Sequence, residues 1–131
     1  SVRYTLDERR DGGWCELGTT SVRLTPPAAV RLIGAVPMKK MQLTDKGKAW
    51  GGITIADPAL NGFVEDAMSR LKWRGPCELE VMKSQKDGDF YMLEINPRFP
   101  GTMSLTVAAG VNMPELCLRD ACGEALPERL D

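Results

Sequence analysis

The sequence contains no histidine. His-based catalytic triads and His general bases are therefore excluded. Its four cysteines, Cys15, Cys77, Cys117 and Cys122, form no C-x-x-C pair, so neither the ligands nor the spacing of a zinc motif is present. They could close two disulfides, but a chain of 131 residues buries a core without such staples. Free thiols in a reducing, cytoplasmic compartment are expected. No apolar run approaches the roughly 20 residues of a membrane span, and no secretory signal pattern is visible. A formal net charge of −1 gives no basic surface for nucleic acid or an anionic membrane. Internal repeats and low-complexity tracts are absent as well. What remains is an average globular composition, 43% hydrophobic and 27% charged, at a length that suits a single lobe over residues 1–131.

The opening Ser1-Val2-Arg3-Tyr4-Thr5-Leu6 lacks a start Met and reads as a strand already under way. A fragment of a longer protein looks like this, and so does a processed start. Asp11-Gly12-Gly13 signals a turn. Thr20 to Leu24 reads as a short strand ended by Pro26-Pro27. Val30 to Leu43 is apolar and β-prone, and Pro37 inside it predicts an edge strand or a bulge. Thr44 to Gly52 is polar and Gly-rich and reads as a mobile loop, with a short strand, Ile53 to Ile55, after it. Asp57-Pro58 opens a helix, because Asp is a good N-cap and Pro suits the first helical position. Leu60, Phe63, Val64, Ala67, Met68 and Leu71 then recur at i, i+3, i+4 spacing as one apolar face, and Gly75-Pro76 ends the segment. Strands Cys77 to Lys83 and Phe90 to Ile95 flank a turn containing Asp87-Gly88. Met103 to Ala109 is helical and is broken by Gly110. A last helix runs from about Pro114 to Cys122, capped by Gly123. The pattern is α+β: a mostly antiparallel sheet with packed helices.

The chemistry concentrates in the hairpin. Residues two apart in a strand share a face. Glu94 and Asn96 therefore point one way, with Leu93 and Ile95 turned into the opposite apolar layer. Glu78, Glu80 and Met82 share a face on the other strand. A three-residue loop, Lys86-Asp87-Gly88, with Gly at its left-handed third position, pairs Gln85 with Asp89 and so sets Glu80 directly across from Glu94. Their β-carbons would lie about 4.5–5.5 Å apart. Like charges so placed destabilise a sheet, and something must compensate. A pair of acids alone is more often a solvated face. Two carboxylates with an amide oxygen from Asn96 also suit Mg²⁺ or Mn²⁺, whose shell waters and phosphates complete; that points to a nucleotide triphosphate.

The surrounding string decides between these readings. Glu94-Ile95-Asn96-Pro97-Arg98-Phe99-Pro100-Gly101 closely resembles the E-[IVM]-N-P-R motif of ATP-grasp enzymes. Trp73-Arg74-Gly75-Pro76-Cys77-Glu78-Leu79-Glu80-Val81 resembles the strand that supplies that family's first metal ligand. Ala108-Ala109-Gly110-Val111-Asn112-Met113-Pro114-Glu115-Leu116 resembles its A-x-G-[VF]-[ND]-[LI]-P segment and points to the branch near carbamoyl phosphate synthetase large chains and biotin carboxylases. The resemblance runs from about Gly34 to Glu124, in family order and spacing. Carbamoyl phosphate synthetases tend to carry Gln where this chain has Glu80.

The resemblance implies the C-terminal half of an ATP-grasp domain, with ATP and Mg²⁺ (or Mn²⁺) as cofactors. Glu80 and Glu94 would hold the metal, Glu94 bridging two ions, and Asn96 would complete one shell. Arg98 would bind phosphate or the acyl-phosphate transition state. Lys39 and Lys40, at the end of a strand, could reach a γ-phosphate or be solvated lysines. Lys46-Gly47-Lys48 is not a Walker A loop; the Lys46–Trp50 stretch could close on substrate or simply turn, and Trp50 could pack on that loop or in a core. The implied partners are ATP, a small carboxylate, a nucleophile, and the missing N-terminal half of the domain, with self-association of an unpartnered apolar face. The implied function is ATP-dependent carboxylate–amine ligation through an acyl phosphate. The alternative is a non-catalytic, partner-binding or regulatory module.

Overall fold

A computed structural model of the chain describes residues 13–22, 31–45 and 49–130, with backbone alone for 13–22 and 49. The expected strand at 1–6, the turn at 11–12 and the Lys46-Gly47-Lys48 segment lie outside the described residues. Among the described residues, five strands and three helices follow one another: β1 (Gly13–Val22), β2 (Arg31–Leu43), β3 (Ala49–Thr54), α1 (Pro58–Leu71), β4 (Gly75–Lys83), β5 (Phe90–Asn96), α2 (Met103–Ala108) and α3 (Met113–Ala121). The strands form one sheet in the order β3-β2-β1-β4-β5, and every pairing is antiparallel. The α+β expectation holds. Among the described residues no helix is long and apolar enough to cross a membrane.

Helix α1 begins as its sequence dictates. The Asp57 side chain accepts from the Ala59 and Leu60 N–H groups, both at 3.1 Å, satisfying donors that have no partner inside the helix. Leu60, Val64 and Met68 are buried against Leu32, Cys77, Leu79 and Val81 of the sheet, with Phe63, Phe90 and Ile95 packed around them. Leu71, expected on the same face, is exposed, because Lys72 turns left-handed at φ 50° and ends the helix there. The opposite sheet face packs Ile33, Val36 and Met38 against Val111, Met113 and Leu116 of the α2–α3 region. Gly34 permits this closeness: a Cβ there would meet Val111 side-chain carbons at 3.1 and 3.2 Å and the Leu130 carbonyl at 3.3 Å. Asn112 caps α3 by accepting from the Glu115 N–H at 3.3 Å.

Four expectations need correction. The short strand at Thr20 is the end of a ten-residue strand, Gly13–Val22, at the centre of the sheet. Its mixed polar sequence, with Gly18 inside, hides it because strand pairing on both edges supplies what propensity does not. The loop expected over Thr44 to Gly52 is strand from Ala49 onward, since Gly51 and Gly52 pair with Gln42 and Lys40. Of the two alternatives for the strand containing Pro37, the edge fails, because β2 is flanked by β3 and β1, while the bulge holds for the strand: its irregularities fall near Gly34 and between Lys40 and Leu43, away from Pro37 itself. The strand tolerates Pro37 because its carbonyl accepts from Ile55 N at 3.0 Å, one residue beyond the end of β3. The missing N–H is directed to that same side, where the β3 ladder has stopped.

The hairpin is the fourth. Its loop has four residues, not three: Ser84 N donates to Asp89 O at 2.9 Å and Gly88 N to Ser84 O at 3.0 Å. Near the loop, Lys83 pairs with Phe90 and Val81 with Met92; beyond an irregularity, Glu80 pairs with Glu94. Leu93 is the extra residue of a bulge. It is exposed rather than turned into the apolar layer, whereas Ile95 does pack on the α1 side. The longer loop and the bulge offset each other, which is why the Glu80–Glu94 pairing expected from a shorter loop nevertheless occurs.

Asp87 stabilises this loop. Its hydrogen bonding with Ser84, then with the Asp89 backbone, holds its carboxyl below its ordinary value. A lowered folded-state value means that the contribution is present above the unfolded carboxylate's range, near pH 4, and is lost as pH falls through the lowered value. The amide protection of Gly88 and Asp89, taken relative to the intrinsic exchange rate at each pH, should therefore fall on acidification below about pH 4, and this fall should vanish in Asp87→Ala. An unchanged acid profile in that variant would contradict the assignment.

Candidate functional site

The β4–β5 register places Glu80 across from Glu94 and Glu78 across from Asn96. Leu79, Val81 and Ile95, the intervening residues, belong to the α1-side core. Period two therefore puts Glu78, Glu80, Glu94 and Asn96 on the other face. This is the face that the α2–α3 region covers at the level of Val36 and Met38. Lys40, two residues after buried Met38, shares it. Lys39 alternates to the opposite face and is exposed. The structure thus brings Lys40, Glu80, Glu94, Asn96 and Arg98 together and leaves Lys39 apart. Trp50 is 70% exposed and packs in no core.

Two ion pairs organise the face. Lys40 Nζ lies 2.7 Å from Glu80 Oε1, with the Lys40 side chain 3% exposed and that of Glu80 26%. β2 and β4 are separated by β1, so the two chains bridge about 10 Å of sheet and both must extend. The Arg98 guanidinium pairs through Nη1 with Glu78 Oε2, and the Glu78 side chain is 4% exposed. Sequence reasoning placed Glu78 on this face but gave it no role. Only the turn after β5, where Arg98 N donates to Asn96 O at 2.8 Å, brings Arg98 back to it. Backbone register also sets Glu16 of β1 between Met38 and Glu80, a position that lies outside the strand expected from Thr20 onward.

Glu94 is exposed and lies directly opposite a like charge, Glu80, which Lys40 offsets. Among the described residues no three His, Cys, Asp or Glu side chains converge as a ligand set. A cation here would rest on two carboxylates and the Asn96 amide oxygen. That all-oxygen donor set fits a hard ion such as Mg²⁺, which keeps several waters and uses only one or two carboxylates.

The Lys40–Glu80 pair is asymmetric, and its variants should be as well. Glu80→Leu leaves a deeply buried ammonium without this carboxylate and should cost about 3 kcal/mol. Lys40→Met leaves a carboxylate that is already a quarter exposed and can hydrate, so it should cost clearly less. The double variant should recover much of the Glu80→Leu loss in urea unfolding. Equal losses in the two single variants would contradict this asymmetry.

A protein family described as ATP-grasp in the biosynthetic pathway with Ter operon matches residues 29–130. No curated protein matches. Among solved structures, biotin carboxylase from Campylobacter jejuni, in a β-γ-ATP complex, superposes with a TM-score of 0.68 at 16% identity, covering 91% of this chain and 27% of that one. The biotin carboxylase domain of Hydrogenobacter thermophilus 2-oxoglutarate carboxylase, solved with MgADP, ADP and bicarbonate, gives 0.68 at 16% identity, covering 90% of this chain and 26% of that one. N5-carboxyaminoimidazole synthetase from Staphylococcus aureus gives 0.58 at 11%, covering 91% and 32%. The chain spans about a quarter to a third of the length of these proteins. With the sheet order, the helices and the family match in agreement, this chain belongs to the ATP-grasp family and forms part of an ATP-grasp domain.

Proposed function

We propose that this lobe supplies the metal- and phosphate-binding half of an ATP-dependent ligase. The observation that carries the proposal is the Glu80–Glu94 pair on one sheet face, with Asn96, Lys40 and Arg98 around it. In the reaction, a substrate carboxylate oxygen bonds to the γ-phosphorus of ATP while the bond from that phosphorus to the bridging oxygen breaks, giving an acyl phosphate and ADP. An amine or other nucleophile then adds at the acyl carbon, and phosphate leaves. A divalent ion held by Glu80, Glu94 and Asn96 would neutralise charge on the phosphoryl oxygens.

The chain's own residues bind and orient. Glu94 and Glu80 fix where positive charge sits, Lys40 balances Glu80, and Arg98 presents a planar fork to anionic oxygens. No side chain here is assigned as a general base. That solved fold relatives carry ATP-type ligands, MgADP and bicarbonate supports the same substrate classes for this lobe. The remainder of the domain would complete the nucleotide clamp. Exposed Met41, Leu43, Trp50 and Ile53 on the β2–β3 hairpin offer an apolar surface for it, or for a second copy when the lobe stands alone. The rival reading, a non-catalytic module that keeps the fold, draws on Lys40, which satisfies Glu80 without any ion.

Glu94→Gln separates the two. In the full-length protein carrying this lobe, assayed with MgATP and a panel of carboxylates and amines, kcat should fall about a hundredfold or more. In the free lobe the same change removes a like-charge repulsion, so Tm should hold or rise slightly. Turnover in Glu94→Gln equal to wild type would remove Glu94 from the mechanism. Absence of ATP-dependent turnover in the wild type across the panel would favour the non-catalytic module.

A further inference from the structure

Glu78 has no part in the reaction just described, yet it is among the most deeply hidden charges on this face. Its side chain is 4% exposed, against 26% for Glu80 two residues on. Backbone register sets it in the row Val36, Gly18, Glu78, Asn96, and Val36 belongs to the core beneath the α2–α3 region. A carboxylate at that depth is costly unless hydrogen bonds or a charge compensate it. Among the described residues no aligned hydrogen bond reaches its Oε2. What does reach it is the Arg98 guanidinium.

Arg98 is the opposite case, with a side chain 53% exposed. Both of its described contacts use one nitrogen: Nη1 pairs with Glu78 and donates to Phe99 O at 3.2 Å. A guanidinium carries five N–H donors in a rigid fork. One corner is tethered, and the Nε and Nη2 donors make no such contact among the described residues. A buried ion pair stabilises a fold little compared with apolar residues of similar size. It does fix the direction of a long side chain, and that fixes where an anion can be received.

We propose that Glu78 is a positioning residue, a buried carboxylate that tethers one corner of Arg98 so that the remaining donors receive an anionic oxygen of the substrate or phosphoryl group. The identity of that anion rests on the ligase reading above; the tether does not.

The first measurement uses the 131-residue chain labelled with ¹⁵N at arginine. Rotation about the Arg98 Nε–Cζ bond is expected to be hindered in the wild type, free in Glu78→Gln and partly hindered in Glu78→Asp, which keeps the charge on a shorter arm. The second is steady-state kinetics of the full-length protein. Glu78→Gln should lower kcat at least tenfold while KM for MgATP stays within twofold, because Glu80, Glu94 and Lys40 are untouched, and Glu78→Asp should recover part of the loss. Melting curves check that both variants are folded. Equal Arg98 rotation in wild type and Glu78→Gln overturns the tether. Rotation freed in Glu78→Gln with wild-type kcat overturns the positioning role and leaves a structural pair. If the wild type itself shows no MgATP turnover, the ligase reading fails. Titration of the lobe with tripolyphosphate then decides: tenfold weaker binding in Glu78→Gln upholds positioning, and equal binding overturns it.

Discussion

Two glutamates, Glu80 and Glu94, face each other across adjacent antiparallel strands, and much of the lobe serves to hold them there. Opposed like charges push a hairpin toward another register. A slip of one residue would turn one of the two acids to the other face and relieve the repulsion. It would also turn the apolar residues of that same strand, Leu79 and Val81 on β4 or Ile95 on β5, away from the core they pack in beneath α1. Burial of that apolar row outweighs the repulsion, which in exposed pairs is a few tenths of a kcal/mol to about one. The hydrophobic layer beneath the sheet therefore fixes the register that the charges on top would avoid.

The two faces are unequal for the same reason. α1 packs its buried stripe on one side. On the other, the second core occupies the Ile33, Val36 and Met38 end, and Lys40, Glu80 and Glu94 follow at the margin. Burial of the carboxylates falls along β4 with distance from that core: Glu78 is nearly sealed and Glu80 partly open, and across from Glu80 on β5 Glu94 is exposed. The cations follow the same gradient in reverse. Buried Glu78 takes a half-exposed arginine and quarter-exposed Glu80 takes a buried lysine, so each pair has one member in reach of water.

Legibility from sequence follows what each residue depends on. Helix α1 was readable because its cap and stripe are local: Asp57, Pro58 and the spacing of Leu60, Val64 and Met68 need no knowledge of the sheet. The β4–β5 strands were readable through alternation, and the Glu80–Glu94 pairing emerged although the loop is one residue longer than expected and Leu93 bulges to restore the phase. Glu78 as the partner of Arg98 was not readable, because it depends on the turn at Asn96 and on depth beneath a core from distant segments. β1 is hidden in the sequence for a related reason. Gly18, Thr19 and Thr20 form a central strand only because β2 and β4 pair with both its edges. Pro37 informs by half: its strand is irregular, as expected, but internal rather than at an edge, and the local end of β3 makes room for it.

The charge balance on this face bears on the order of events under the ligase reading. Among the described side chains, Lys40 and Arg98 face three carboxylates, Glu78, Glu80 and Glu94, an excess of negative charge. Triphosphate is itself strongly anionic, and at separations of a few ångströms such repulsion is worth about a kcal/mol even when water screens it fully. Nucleotide alone would therefore meet an unfavourable field at the place where its γ-phosphate must sit. A divalent ion held at this pair would reverse that field, because it would offset the Glu80–Glu94 repulsion and the phosphoryl charge at once. Metal and nucleotide should thus bind with positive coupling, each raising the other's affinity by the same factor. Calorimetry of the full-length protein with ATP, with and without EDTA, measures that factor. Affinity that falls at least tenfold on chelation in the wild type, and much less in Glu94→Gln, is the expected result; equal losses in both would place the metal's action elsewhere than at this pair.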